Sequence, residues 1–510
     1  MLPVFSGTQI REAEQPLLAA GNGPALMRTA SWGLANGVIA LLRERGHTLA
    51  GTRITGLIGP GNNGGDGLWA LSFLAHRGAT IRAYRTSATT HSEGTEAFLA
   101  AGGRFIELED ADYRRSQLII DAVLGTGARG GWAGLPVPEH ALVVACDVPS
   151  GVASDTGHVA DAALRADLTV TFGGLKTGLF NGAGASYSGH IRCVDIGLGP
   201  HLPHPAAQLL EPADLPGLLP ATDVDAHKYT RGVLGILAGS TQYPGAANLA
   251  CAAALATGVG MLRFLSESTP TQLDSLDLAV ITAHPEIVLS RNPADRVQAW
   301  LVGSGLSQHP DRVAQARQVL TLAAGQQLPT VVDADGLHLI STPAHHDNTA
   351  QKEIQQEAQC RILTPHAGEA ATLLSRLSGT QTCRKSVETD PLAAAQHLAE
   401  LTGDVVVLKG PHTVIASHRD RQQETYLYPG GHPWLATAGS GDTLAGIIGA
   451  IAAGWAAQSA QHAQRTPALA AQAAAGVWVH GAASYLAAAN GPFGASALAG
   501  SVRRVLAELL

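Results

Sequence analysis

The stretch Ile54-Thr-Gly-Leu-Ile-Gly-Pro-Gly-Asn-Asn-Gly-Gly-Asp-Gly67 decides the fold class. An apolar β-branched run, ITGLIG, stops at a cluster of glycines, and a helical pattern with Leu68, Leu71 and Leu74 on one face follows. Strand, tight glycine turn and helix in that order make the opening of a βα unit, in which the loop lies at the carboxyl end of a buried parallel strand. Glycines there let the chain turn sharply and bring its N–H groups close to an anion. The segment matches the dinucleotide pattern G-x-G-x-x-G, but no acidic residue stands about 20 positions on to hold a ribose; Tyr84 and Arg85 occupy that place. Two adjacent asparagines and an aspartate add amide and carboxylate groups that a plain phosphate cradle does not need.

Working outward, the same grammar repeats. LIIDAVLG from Leu118 and LVVACDVPSG from Leu142 are apolar runs ending in Asp121 and Asp147. Farther on come VLGILAGS from Val233, TVVDAD from Thr330, RILTPH from Arg361 and VVVLKG from Val405. Continuous apolar runs bounded by Gly or Pro predict two three-layer α/β domains with ligands at the strand ends. Between the two series, Pro200 to Pro220 holds six of the 27 prolines. Such a segment does not propagate helix and reads as a linker. The expected division is therefore 1–220 and 221–510. Ser341 to Cys360 reads as an exposed polar loop or insertion.

Composition narrows the function. Hydrophobic residues make up 45% of the 510, enough for sizeable cores, and the formal net charge is −8 without a run of Lys or Arg, which argues against a nucleic-acid partner. No basic stretch followed by an apolar run opens the chain, and the apolar helix candidate Leu444–Ala457 is too short to span a bilayer, so no membrane is expected. Five scattered cysteines fit reduced thiols in the cytoplasm. Only five of the 33 basic residues are lysine. A lysine retained in such a chain is a candidate for work that arginine cannot do, such as proton transfer or compact phosphate contact. Lys352 and Lys385 lie in polar stretches; Lys176, Lys228 and Lys409 lie beside motifs.

Three strand-end loops on one sheet edge point to a shared site in the first half. Asn63, Asp121 and Ser150 offer hard oxygen ligands, suited to a hard cation and not to zinc. Phe172-Gly-Gly-Leu-Lys176-Thr-Gly178 places a scarce lysine among glycines. GPGNNGGDG, DAVLGTG, DVPSG and FGGLKTG, in this order, resemble the NAD(P)HX epimerase family over about residues 8 to 198. The resemblance implies a Rossmann-like domain that binds hydrated NADH and NADPH. It implies substrate contacts by Asn62, Asn63, Gly64, Gly65 and Asp66, by Gly125, Thr126, Gly127, Ala128, Arg129, Gly130 and Gly131, and by Asp147. It also implies a potassium ion at Asn63, Asp121 and Ser150, with Asp147 and Lys176 moving protons at C6 of the hydrated nicotinamide. The chain departs from the family at Arg28, where an acidic residue is usual, and in its short 128–140 connection.

In the second half, Thr437-Ala-Gly-Ser-Gly-Asp442 precedes an apolar helix. N–H groups at a helix start form an anion hole, and an aspartate at its rim suits a base toward a hydroxyl attacking a phosphoryl group. This motif resembles the ribokinase-like kinases and their dehydratase relatives. HKY from His227, GSTQYPGAA from Gly239, GSGL from Gly303, TPHAGE from Thr364 and KGPHT from Lys409 are similar, as an ordered set, to the ADP-dependent NAD(P)HX dehydratases over about residues 222 to 508. That resemblance implies hydrate contacts at Ala247, Gly305, His366 and catalytic Asp442. It implies nucleotide contacts at Lys409, Gly410, Pro411, His412 and Thr413 and at Gly439, Ser440 and Gly441, with ADP or ATP as phosphoryl donor and magnesium beside it. Ser307 departs from the family's usual glycine. The whole then reads as a two-step repair enzyme, expected as a cytoplasmic homo-oligomer. The rivals are a small-molecule kinase fused to a nucleotide-binding domain, and a non-catalytic nucleotide-binding scaffold; both halves pointing to one substrate, with Asp147 and Lys176 retained, argues against them.

Overall fold

In the computed structural model, residues 1–127, 134–268, 272–307, 309–341, 360–419, 422–459 and 468–510 are described. Ala128 to Gly131 of the expected ligand loop, and nearly all of the stretch read as an exposed insertion, lie outside them.

The chain divides into one unit of Pro3–Gln208 and another of Leu209–Leu510 with Met1–Leu2. The division thus falls twelve residues before the expected 220. The prolines do break regular structure, giving a 3₁₀ turn at Pro212–Gly217. The leucines between them are core residues, however: Leu215, Leu218 and Leu219 are buried in the second unit's main apolar cluster, and Trp455 donates its indole N–H to the Leu218 carbonyl at 2.6 Å. Proline content marked the break in helix, but burial of the leucines decides which unit the segment joins.

The first unit holds a parallel sheet in the order Arg104–Phe105, Thr80–Arg85, Arg53–Ile58, Leu118–Ala122, Leu142–Cys146, Leu168–Phe172, His190–Val194. From Arg53–Ile58 the chain first builds outward through Thr80–Arg85, then returns to add Leu118–Ala122 on the other side. That reversal is a topological switch point, where a crevice opens beyond the strand ends. The decisive glycine stretch and Asp121 leave the two strands that flank it. The helix Gly23–Glu44 is, by length and composition, apolar enough to cross a membrane. One face of it, including Leu34, Val38 and Leu41, is buried in the unit's core; Gly33 and Gly37 let it approach Val194 and Val170 of the sheet, where a Cβ would lie within 2.6 Å of a valine methyl.

The second unit has parallel strands in the order Val288–Ser290, Met261–Leu265, Val233–Leu237, Ala299–Val302, Thr330–Val332, Arg361–Leu363, Val405–Leu408. The antiparallel pair Thr413–Arg419 and Gln422–Tyr428 extends it. Leu234 and Ile236 pack into one apolar layer with the helices Pro244–Ala256, Ser440–Ser459 and Leu469–Ala488. Val233 and Leu237 face the opposite layer, with Val319 of the helix Pro310–Gly325. Alternation along doubly buried strands thus produces the expected three layers.

Candidate functional sites

In the first unit the helix begins earlier than the leucine pattern alone suggests, at Asn62. Asn62 to Asp66 therefore open the helix at the carboxyl edge of the sheet; the N–H groups of Asn62, Asn63 and Gly64 are free of helical partners, and that of Gly65 donates to the Gly61 carbonyl at 3.2 Å. Two of the glycines are required by close approach: a Cβ on Gly59 would lie 2.1 Å from the Val123 carbonyl oxygen, and one on Gly64 2.1 Å from that of Gly59. A cavity of about 720 Å³ opens there, lined by Asn62, Asn63, Asp66, Gly125, Thr126, Gly127 and Asp147. Its size suits a small-molecule ligand. Gly64 and Gly65 are absent from the wall; both are buried, and a Cβ on Gly65 would strike His91 at 2.8 Å.

Asp147 is the most constrained residue of this site. It has φ +68°, a conformation costly for a non-glycine residue and typical of functional positions. Its Oδ2 accepts from Thr126 Oγ1 at 2.6 Å, and its Oδ1 from Lys176 Nζ at 2.6 Å and Thr171 Oγ1 at 3.2 Å. Burial alone would raise this carboxyl, but the adjacent Lys176 charge and the hydrogen bonds from Lys176 and Thr126 outweigh it and hold it below the usual range. Lys176 is 1% exposed. Its ammonium donates also to Thr171 Oγ1 at 2.8 Å and to the Phe172 carbonyl at 2.7 Å, which uses all three N–H donors. It does not line the cavity. The proton-moving role implied for Lys176 thus meets a geometric obstacle: of the pair, Asp147 is the member on the wall.

Asp66, also on the wall, has the opposite character. It accepts a 3.2 Å hydrogen bond from Ser31, yet burial, and then the negative charges of Asp147 and Glu14, push it well above the usual carboxylate range. Two carboxyl groups driven apart in one cavity suit an ionised base and a neutral acid. Asp121 and Ser150 meet directly: the Ser150 N–H and hydroxyl donate to the Asp121 carboxyl at 2.7 and 2.6 Å. Burial pushes Asp121 up to about 6 against those bonds. Asn63 stands across Gly125, where a Cβ would lie 3.2 Å from its side-chain amide. Arg11, Glu14 and His91 complete the wall and were not foreseen. Arg11 donates to the Thr126 carbonyl, pinning the loop; nothing in its sequence context separates it from a solvated helix face.

In the second unit, Asp442 lies in the first turn of Ser440–Ser459. Burial, and then the negative charge of Asp333, push it up to about 6. A Cβ on Gly441 would lie 3.4 Å from Lys409 Nζ, so the scarce lysine and the glycine-rich loop do converge. Lys409 donates to Asp333 Oδ1 at 2.6 Å. Asp333 was not foreseen, although it ends the quoted strand TVVDAD. Beneath the loop, His480 Nε2 lies 3.2 Å from Thr443 Oγ1, and burial lowers this histidine to about 4.

His366 caps the helix Ala367–Ser378: its Nδ1 accepts from Gly368 and Glu369 N–H at 3.1 Å, and Glu369 accepts from its own N–H at 2.8 Å. Its ring remains 60% exposed, with Nε2 3.6 Å from Glu369 Oε1. Gly305 has φ +63°, and a Cβ there would strike Ala246. Ala247 is fully buried in the helix Pro244–Ala256. Pro411 and His412 form the turn between Val405–Leu408 and Thr413–Arg419, with His412 Nδ1 2.8 Å from the Pro429 carbonyl. Arg312, 2% exposed, donates to the carbonyls of Ala238 and Gly239 and so fixes the start of the Gly239–Tyr243 loop that leads into the helix Pro244–Ala256.

Residues 234–502 match the family model described as NAD(P)H-hydrate dehydratase, and residues 24–178 match that of the YjeF-related protein N-terminus. The bifunctional NAD(P)H-hydrate repair enzyme Nnr of Mycobacterium tuberculosis is 39% identical over 460 residues, covering 88% of this chain and 89% of its own. That of Mycobacterium leprae is 38% identical over 521 residues, covering 99% of each. Among solved structures, the ADP/ATP-dependent NAD(P)H-hydrate dehydratase of Bacillus subtilis, co-crystallised with ATP and Mg²⁺, is 25% identical with a TM-score of 0.47, covering 60% of this chain and 99% of its own. Identity at this level over nearly the whole length, together with both family models in this order, means that the chain belongs to the bifunctional NAD(P)H-hydrate repair enzymes.

Proposed function

We propose that the first unit interconverts the R and S epimers of hydrated NADH and NADPH, and that the second dehydrates the S epimer at the expense of ADP or ATP. The observation that carries this reading is the pairing, in one chain, of a cavity walled by two buried carboxyls, Asp66 and Asp147, with a glycine-rich helix start in which Gly441, next to Asp442, lies against Lys409. C6 of the hydrate bears both a hydroxyl and the ring nitrogen. Asp147 takes the hydroxyl proton while Asp66 gives one to the nitrogen; the C6–N bond opens, and closure on the other face inverts the centre. Lys176 acts through Asp147, keeping it ionised. Asn62, Asn63, the Gly125–Gly127 segment and the backbone of the first helical turn hold the substrate.

In the second unit, Asp442 removes the proton of the C6 hydroxyl as its oxygen attacks the terminal phosphoryl group of the nucleotide. The loop Gly439, Ser440 and Gly441 and the turn from Lys409 to Thr413 hold the nucleotide; Gly305, His366 and the Ala247 helix hold the hydrate. Electron release from the ring nitrogen then expels phosphate and leaves an iminium at C6; loss of a proton from C5 to the departing phosphate forms the C5–C6 double bond, giving the restored cofactor with AMP or ADP. Magnesium would enter with the nucleotide and would offset the negative charge of its phosphates.

Potassium fits the set Asn63, Asp121 and Ser150. The buried Asp121 carboxyl has no ion pair among the described residues, and the Asn63 amide oxygen and the Ser150 hydroxyl would supply the other oxygens. Neutral and singly charged oxygens favour a monovalent ion. When bound, it supplies a fixed positive charge beside the cavity. Five cysteines scattered along the chain fit reduced thiols and support action in the cytoplasm. The test is recovery of NADH absorbance from prepared hydrate. A mixture of epimers recovers completely with ADP or ATP; no recovery with either nucleotide rejects the reading.

A further inference from the structure

Ser304 stands between two carboxyl groups. Its hydroxyl donates to Asp333 Oδ2 at 3.0 Å, and it draws down the carboxyl of Asp442, the residue after Gly441, where a Cβ would lie 3.4 Å from Lys409 Nζ. A serine hydroxyl has one proton and two lone pairs, so it donates to one carboxyl only and accepts from the other only if that one is protonated. The other oxygen of Asp333 accepts from Lys409 Nζ and Thr364 Oγ1, each at 2.6 Å. Ser304 and Thr364 are fully buried and Asp333 is 2% exposed. The four residues follow the four strands Ala299–Val302, Thr330–Val332, Arg361–Leu363 and Val405–Leu408. Asp333 is therefore the node at which the strand-end loops of the dehydratase site are tied together.

We propose that Ser304 and Asp333 form a proton-holding relay behind Asp442, with Asp333 as the positioning residue that makes it run. The inference rests on the reading of Asp442 as the base. Before reaction, the Ser304 hydroxyl points to the Asp442 carboxylate, and Asp333 is held by Lys409 and Thr364. The O–H bond of the substrate hydroxyl breaks and an Asp442 O–H bond forms. The electron pair stays on the substrate oxygen and makes the new bond to phosphorus as the bond to the departing nucleotide breaks. The new Asp442 O–H then donates to Ser304 Oγ, and the Ser304 O–H turns to Asp333 Oδ2. The 3.0 Å Ser304–Asp333 bond is this second arrangement. When phosphate has left, Asp442 returns its proton to solvent and Ser304 turns back.

The charges facing Asp442 agree with this. Burial raises it first and the Asp333 charge next, while the Ser304 bond and Lys409 draw it down, leaving it at about 6. Glu369 acts on Lys409 from the helix Ala367–Ser378, and His480, neutral at about 4, lies under the same loop.

The test is the single-turnover rate of ADP- or ATP-dependent dehydration of the S epimer by the full chain from pH 5 to 8.5, with KM for hydrate and nucleotide. The parent rate falls as pH drops through about 6. Ser304→Ala is expected to lose on the order of tenfold or more in rate with little change in either KM, because the hydroxyl that holds protonated Asp442 is lost and not a group that binds substrate, and Ser304→Thr should restore the rate. Asp333→Asn should move the acid limb down by roughly one pH unit, as removal of a nearby like charge does. If Asp333→Asn does not fold by circular dichroism, Ser304→Ala alone decides. Parent rates and an unmoved limb in these variants, with Asp442→Ala inactive, overturn the relay and leave the base intact. An active Asp442→Ala overturns the base reading itself.

Discussion

Replacing Lys176 by Met removes the cation from a buried pair whose side chains are 1% and 8% exposed. Breaking such a pair by deleting one partner typically costs about 3–5 kcal/mol, because the remaining charge is left uncompensated. Proton uptake sets a ceiling. Bringing a carboxyl of ordinary value near 3.9 to neutrality at pH 7 costs about 4 kcal/mol, three units at about 1.4 each. Thr126, Thr171 and the Phe172 N–H still donate to the carboxyl, so the loss should be about 3–4 kcal/mol at pH 7. For a unit of this size that lowers Tm by roughly 6–16 °C. The sign with pH is fixed by the direction of the shift. In the parent, Asp147 is held below its unfolded value. Its contribution is therefore present above that value and lost as pH falls through the folded one. In the variant the carboxyl is raised, so stability is retained in acid and lost as pH rises. The gap in Tm should thus widen from pH 5 to pH 8. Epimerisation, followed by chromatographic separation of the epimers, should fall by on the order of 10²-fold or more. A Tm gap that does not change with pH, or an epimerisation rate within a few-fold of the parent, refutes the argument.

Lys176→Arg tells charge from proton transfer: if Lys176 acts only through Asp147, a folded Arg variant keeps epimerisation within about tenfold of the parent, whereas a loss on the order of 10²-fold restores the proton-moving role. Asp66→Asn should slow epimerisation on the order of 10²-fold while leaving hydrate affinity, measured by calorimetry, nearly unchanged, since the amide keeps the shape but cannot deliver a carboxyl proton; an undiminished rate removes Asp66 from the chemistry. Asp442→Ala should abolish nucleotide-dependent dehydration and leave epimer exchange intact, and loss of both in a folded variant would mean that the sites are not separate. Potassium should raise the melting temperature of the first unit relative to sodium by binding the folded form alone, and Asp121→Asn should erase the difference; an equal effect of both salts would reject the ion site.

What could be read in advance follows from how a parallel sheet places its chemistry. Strand-end loops carry glycines because backbone must approach backbone there, and those glycines sit next to each other in sequence; GPGNNGGDG and TAGSGD are therefore visible without any coordinates. Partners brought together only by crossover connections are not. Lys409 and Asp333 are 76 positions apart, and an aspartate ending an apolar run looks the same whether it caps a turn or anchors an ion pair. The scarcity of lysine nevertheless pointed to Lys176, Lys228 and Lys409; Lys228 lies over the Tyr229 ring, and for the other two the structure gives a common reason, different from the one expected. Each is the partner of a buried strand-end aspartate, at 2.6 Å in both cases. At Lys176 the three ammonium hydrogens meet three acceptors between 2.6 and 2.8 Å around one nitrogen. A planar guanidinium spreads five donors over a larger fork and cannot reproduce that tripod in a closed site. Retention of lysine at these two positions thus reports, first, a compact ion pair, closed from solvent at Lys176 and partly exposed at Lys409. Its consequence for catalysis runs through the carboxylate: at Asp147 the pair holds a base ionised against its burial, and at Asp333 it holds a negative charge close enough to Asp442 to keep that residue basic near neutrality.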